Sequence, residues 1–271
     1  MNLEILLSCY GQSGKELIGR SGLTGNVVAV AQGMPAGEWS MPTAHGTVRG
    51  FSMPEHGLTK SRNFAIMNAK ADICLLCDDD ERFVPDYEQR ILTAYRQHPE
   101  ADIIIFKMQN HRAAFPDKVR RLRFPDTMRV SSWQISFRRQ RLLDTGVLFD
   151  ELLGAGSGNG AEEELKFLLD SQKAGLYILY VPIEIADVAQ KKSTWFNGFD
   201  ETFFINRGAT TRYILGAPLA FAYAVYYVWR KQKLYRKKIT PLRAFVAILR
   251  GMRENKIARQ AVADQKKANH I

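Results

Sequence analysis

The chain has 271 residues, 46% of them apolar and 24% charged, which is enough to bury a sizeable core and too apolar for a disordered polypeptide. Its net charge of +10 is uneven: residues 1–206 carry 23 Lys and Arg against 26 Asp and Glu, whereas 207–271 carry 15 against 2. This excludes a uniformly basic protein and confines the signal for a polyanionic partner, an anionic membrane surface or nucleic acid, to the tail.

In chain order, Leu3–Ser8 and Asn26–Ala31 read as buried strands, Lys60–Asn68 as a helix and Ala71–Cys77 as another strand. Pro85–Gln97 then reads as a helix with proline in its first turn, and Ala101–Lys107 as a further strand. The first apolar run, Ile5–Leu7, is too short for a secretory signal and follows Glu4, so a cytoplasmic location is expected. Strands alternating with helices imply an α/β fold with a mostly parallel sheet, in which ligands bind beyond the carboxyl ends of the strands. Cys9, Cys74 and Cys77 show no disulfide pattern. Cys74 and Cys77 lie three apart on a strand and point to opposite faces, so they are expected to pack in the core rather than share a metal.

The strand ending at Cys77 runs into Asp78-Asp79-Asp80-Glu81. Like charges this close repel, and two explanations stand side by side. Asp78 and Asp80 can converge on a hard divalent cation such as Mg²⁺ or Mn²⁺. Alternatively the cluster is a solvated loop, with Asp80 or Glu81 helping to start the next helix.

Further residues carry a family resemblance. Gly57-Leu58-Thr59-Lys60-Ser61-Arg62-Asn63, then Ala69-Lys70-Ala71-Asp72-Ile73, Asp78-Asp79-Asp80 and Pro85-Asp86 stand in an order and spacing that resembles the core of family 2 glycosyltransferases of GT-A fold. A second block, Phe149-Asp150-Glu151, Gly154-Ala155-Gly156-Ser157, Glu162-Glu163-Glu164 and Gly175 to Pro182, is similar to the acceptor half of that family. Ser193-Thr194-Trp195-Phe196 resembles a segment of its bacterial surface-polysaccharide members.

The resemblance implies a GT-A catalytic domain over 1–206, with the donor half in about 1–107 and the acceptor half in 108–206. It implies a Rossmann-like, mixed but mostly parallel sheet between helices. The implied reaction is inverting transfer of a sugar from a nucleotide-diphosphate donor to a glycan acceptor, expected to be lipid-linked, in capsule, O-antigen or exopolysaccharide synthesis. Asp78 and Asp80 would hold a divalent cation against the leaving diphosphate, with Asp79 beside the donor. Glu164 matches the catalytic base, with Glu163 as its neighbour or substitute. By position, Ser8, Tyr10, Gln12 and Gln32 would face the nucleotide base; Arg62 and Asn63 would approach the donor or brace the acidic turn.

The sequence also departs from the family. Gln32 stands where many members have an acidic residue, residues 183–192 contain no histidine as a further metal ligand, and the acidic pair has Glu where Asp is commoner. Lys118, Arg120, Arg121 and Arg123 form a basic loop, read as solvated rather than as an anionic acceptor site.

Residues 207–271 are expected to form a helical, basic extension. Tyr213–Trp229 is an uncharged, mostly apolar run of 17 residues followed by Arg230, Lys231, Lys233, Arg236, Lys237 and Lys238. That is short of the roughly 20 residues of a membrane span. A helix lying on an anionic inner membrane face is expected, with Leu242–Leu249 as a second amphipathic segment; the alternative is a buried helix closing the domain. Nucleic acid is not expected as a partner, because such an arm would interleave its cations with the apolar run. A metal-dependent nucleotidyltransferase would also need paired aspartates, but leaves Glu162–Glu164 without a role.

Overall fold

The computed structural model of the chain describes residues 1–109, 115–160, 162–188 and 198–268. Ser193–Phe196, one of the segments carrying the family resemblance, lies outside the described residues. The chain divides into two compact units, one from Met1–Asp150 with Glu163–Lys191, the other from Glu151–Glu162 with Lys192–Ile271.

The first unit is built on a mixed sheet. Its elements in chain order are β1 (Leu3–Tyr10), α1 (Gly14–Ser21), β2 (Asn26–Gln32), β3 (Gly37–Pro42), β4 (Thr47–Met53), α2 (Leu58–Asn68), β5 (Ile73–Cys77) and β6 (Glu81–Phe83). They continue with α3 (Tyr87–Gln97), β7 (Ile103–Gln109), β8 (Arg120–Arg121), β9 (Ile135–Arg138), α4 (Arg139–Thr145), α5 (Glu163–Lys173) and β10 (Ile178–Val188). The strand order is β3-β4-β2-β1-β5-β9-β7-β10-β6, with β8 on β10. Strands β4, β2, β1 and β5 are parallel, as are β7 and β10, while β9 runs antiparallel between β5 and β7.

Continuous apolar runs are what a sheet covered on both faces requires, and the side chains sort accordingly. Leu3, Ile5, Leu7 and Cys77 pack on one face beneath Leu17 and Ile18 of α1 and Ile91 and Tyr95 of α3. Leu6, Cys74 and Leu76 pack on the other with Ala65 and Ile66 of α2 and Phe167 and Leu168 of α5. The two cysteines of the CxxC are free, buried and on opposite faces, as the strand period dictates.

The expected strands and helices up to residue 109 are present with shifted ends. Helix α3 begins at Tyr87 with Asp86 at its cap, so Pro85 precedes the helix instead of lying in its first turn. The hairpin of β3 and β4 and the antiparallel β9 are additions to the expected pattern. All the strand ends that matter for the site point one way: Tyr10 closes β1, Gln32 closes β2 and Asp78 follows β5.

The second unit contains α6 (Glu201–Arg230), α7 (Pro241–Glu254) and α8 (Lys256–Ala268). The position expected to end the catalytic domain, residue 206, falls inside α6. Helix α6 is broken at Gly216 (φ 77°, ψ 171°), two residues before Pro218. The break falls near the start of the apolar run Tyr213–Trp229, where Gly216 and Pro218 stand. No helix among the described residues is long and apolar enough to cross a membrane. Within this unit Arg207 is half-buried, donates to Glu162 and to the Tyr223 hydroxyl at 2.6 Å each, and lies over the rings of Phe203 and Tyr227.

Helices α6 and α7 meet at backbone distance. A Cβ on Gly208 would stand 2.1 Å from the Ile248 carbonyl oxygen, and one on Gly251 would stand 1.9 Å from that of Ile205. Only glycine permits this approach. Gly208→Ala or Gly251→Ala is expected to force the pair apart and cost about 1–3 kcal/mol, as overpacking does. Urea denaturation followed by circular dichroism reads this; an unchanged midpoint would mean the helices have room to part.

Candidate active site

Arg62 lies in the second turn of α2 and is almost wholly buried at 1% exposure. Its Nη2 donates to Asp78 Oδ1 at 2.9 Å and Oδ2 at 3.3 Å; its Nη1 donates to Glu163 Oε1 at 3.3 Å and stands 3.7 Å from Glu164 Oε1. One guanidinium thus joins the acidic turn after β5 to the acidic first turn of α5. Burial alone pulls its pKa down, but Asp78, Glu164 and Glu163 outweigh that and raise it, so the charge is permanent.

The acidic cluster is resolved residue by residue. Asp78 also accepts from the Ser132 hydroxyl at 2.7 Å, and its backbone N–H donates to Glu81 Oε1 at 2.7 Å. Asp79 accepts a short hydrogen bond from the Gln12 side-chain amide. Asp80 is half-buried. Glu81 is buried, and Oε2 of its carboxyl has no hydrogen-bond partner among the described residues. Burial, then the charge of Asp78, pushes its pKa well up, so Glu81 favours the neutral form. The repulsion anticipated from the sequence is relieved by an arginine, a neutralised glutamate and a glutamine.

The expected cation ligands Asp78 and Asp80 remain half-buried carboxylates at a strand end, which suits a hard divalent ion in donor chemistry. Among the described residues, however, no three His, Cys, Asp or Glu side chains group as a metal site. Two carboxylates fit such an ion only if phosphate and water complete its shell.

Glu163 and Glu164 differ. Glu163 is buried, with Oε2 lacking a partner among the described residues, whereas the Glu164 side chain keeps 20% exposure. Burial, then the neighbouring charge of Glu163, raises the Glu164 pKa to about 8 against the opposing pull of Arg62. Of the two, Glu164 has the access.

Other expected contacts are reassigned. Gln32 is buried and accepts from the Gly57 N–H at 2.9 Å, bracing the entry to α2. Ser8 is buried against the Ser61 hydroxyl at 2.8 Å. Asn63 brackets Phe149, donating to its carbonyl at 2.9 Å and accepting from its N–H at 2.8 Å, and so fixes the chain ahead of Asp150. Tyr10 alone of the group is open, at 58% exposure, stacked on His56 at 4.2 Å between centroids. Sequence reasoning missed His56 and Ser132; nothing in their local pattern marks them. In the basic loop, Arg120 pairs with Asp126 and Arg121 lies over Tyr177, while Lys118 and Arg123 are exposed.

Residues 37–154, which contain α2, the acidic turn and Asn63 with its partner Phe149, match the model of glycosyl transferase family 2. This segment, somewhat under half of the chain, is similar to a family 2 glycosyltransferase domain. Its sheet matches the GT-A fold of S. aureus TarS: the TarS 1–349 structure in complex with UDP-GlcNAc superimposes with a TM-score of 0.58 at 15% identity, over 88% of this chain and 74% of that one. The complex of the same fragment with UDP gives 0.56 at 16% identity over the same shares, and the longer TarS structure gives 0.56 at 14% over 88% and 44%. No curated protein matches the transferase.

Removing the guanidinium of this glycosyltransferase leaves three carboxylates facing one another. Arg62→Met is expected to cost about 3–5 kcal/mol, the range for stranding buried charge. Chemical denaturation measures it, and a cost within the few tenths typical of surface changes would mean the carboxylates do not depend on Arg62. Glu164 adds a pH dependence of opposite sign to most carboxylates. The folded chain holds its proton more tightly than the unfolded chain, so the stability it contributes is full at acid pH and is lost as pH rises from the ordinary carboxylate range through about 8. Glu164→Gln is expected to flatten that decline in melts taken across the interval.

Proposed function

We propose that this transferase is an inverting enzyme that moves a sugar from a nucleotide-diphosphate donor to a glycan acceptor. The observation that carries the reading is the single buried Arg62 holding Asp78, at the donor side, in fixed relation to Glu163 and Glu164. The UDP-GlcNAc and UDP complexes of the TarS fold support a UDP-linked donor. Tyr10 on His56 offers an open aromatic surface for the base, and Gln12 ties the loop after β1 to Asp79.

Glu164 takes the proton of the acceptor hydroxyl as that oxygen bonds to the anomeric carbon, and the bond to the diphosphate breaks on the opposite face. Glu163, charge-paired to Arg62, orients its neighbour. The fixed charge of Arg62 holds the Asp78 carboxylate in place beneath the leaving group. When a divalent cation is bound, Asp78 and Asp80 hold it, and it neutralises the charge that develops on the diphosphate. Ser132 keeps the Asp78 carboxylate aimed whether or not the ion is there. The acceptor in this reading is a lipid-linked glycan of a bacterial surface polysaccharide, met at the cytoplasmic face of the plasma membrane.

Calorimetric titration with a panel of nucleoside diphosphates, with Mn²⁺ and with chelator, tests the donor half. UDP is expected to bind in a metal-dependent way that Asp80→Ala abolishes; binding that ignores both metal and Asp80 would remove the cation from the reading. The acceptor half is tested by Glu164→Gln, expected to lower the transfer rate about a hundred- to ten-thousand-fold while UDP affinity is kept. In wild type the rate is expected to rise with pH through about 8 as Glu164 gives up its proton. A flat profile, or an active Glu164→Gln enzyme, would pass the base role to another group.

A further inference from the structure

The second half of α6 is apolar on every side. Between Gly216 and Arg230 it carries no charged residue, yet only Ala220, Ala224, Tyr227 and Val228 are buried, on the side facing α7. Phe221, Val225 and Trp229, spaced four apart and so in one row along the helix, are exposed. An uncharged helix is normally enclosed, and among the described residues of this unit nothing covers that row.

The row does not end at the helix edge. The Phe245 ring of α7 stands 6.1 Å from that of Phe221 and 5.2 Å from that of Trp229, bridging the two helices. Beside Phe245, α7 exposes Leu242, at 71%, and Val246 one turn later. Two helices thus present one continuous apolar face, with Trp229, half exposed, at its end.

Cations stand next to that end. Arg230, Lys231, Lys233, Arg236, Lys237 and Lys238 follow Trp229 directly, all are exposed, and among the described residues none forms an ion pair. Arg243 is exposed on α7. An apolar face bordered by unpaired cations, with tryptophan at the boundary, is complementary to a surface that offers hydrocarbon beneath and negative charge above. A second copy of the chain would bring two such sets of cations together, and a nucleic acid would leave the apolar row uncovered.

We infer that the face made by Phe221, Val225, Trp229, Leu242 and Val246 seats this protein flat on an anionic lipid bilayer, with Arg230–Lys238 on the headgroups. The inference deepens the lipid-linked acceptor proposed above, and it is testable without any transfer reaction.

The test is flotation of the full chain with vesicles of phosphatidylcholine containing phosphatidylglycerol, against phosphatidylcholine alone, and in parallel its retention on duplex DNA. Wild type is expected to float with the anionic vesicles only. Leu242→Glu with Val246→Glu is expected to abolish flotation, and Lys231→Ser with Lys237→Ser to weaken it about fivefold for each cation removed. UDP binding by the same variants reports that they are folded and keeps the two readings separate: loss of flotation with UDP binding intact is the expected result. Flotation unaffected by the glutamates, equal binding to neutral vesicles, DNA retention that replaces flotation, or a stable dimer that does not float would each overturn the inference.

Discussion

A single buried guanidinium is the constraint on which this site depends. Four acidic residues follow one strand and two more open a helix about eighty positions later, and without a fixed cation neither group could be packed near the other. Arg62 meets both. Because arginine remains charged under all physiological conditions and presents a planar fork, it fixes distance and direction together, which lysine would not. The energetic consequence is asymmetric. Such a network adds little to stability over an apolar equivalent, but losing its centre strands every partner. Precise placement of carboxylates is what a transfer reaction needs, and it is what this arrangement provides.

The same network puts two adjacent glutamates in different surroundings. Glu163 lies inside, paired with Arg62, and Glu164 lies at the edge with a raised pKa. Burial and a neighbouring negative charge raise it, and the guanidinium restrains the rise, leaving a carboxylate that titrates near neutral pH. Burial and the charge of Asp78 push the Glu81 pKa well up, so this carboxyl favours the neutral form and eases the repulsion within the run of four acids.

Much of this was legible in the sequence because periodicity and order survive without coordinates. The apolar runs of β1, β2, β5 and β7 announced a sheet covered on both faces, and the family resemblance picked out Arg62, Asp78 and Glu163–Glu164, which the fold brings to one guanidinium. What stayed hidden depends on three-dimensional partners. Gln32 and Ser8 end or approach strand ends as base-contacting residues would, but Gly57 before α2 and Ser61 in its first turn take up their side chains. Asn63 is adjacent to Arg62 yet, a hundred degrees round the helix, reaches Phe149 instead. His56 comes from a loop and Ser132 from a single 3-10 turn, neither with a periodicity to read. The two sequence readings of Tyr213–Trp229, surface helix and buried helix, each describe one side of the same helix.

The glycine contacts between α6 and α7 bear on how that outer side behaves in water. A solvent-exposed apolar row would ordinarily be hidden by a small roll of its helix or by a slide along the neighbour. Here Gly208 and Gly251 set each backbone against the carbonyl of the other helix, so that rolling either one drives main chain into main chain. The α7 part of the face, Leu242 and Val246, is held outward by interlocked backbones further along the same helix. Its stickiness is therefore a permanent attribute of the fold, present before any partner arrives and not removable by relaxation.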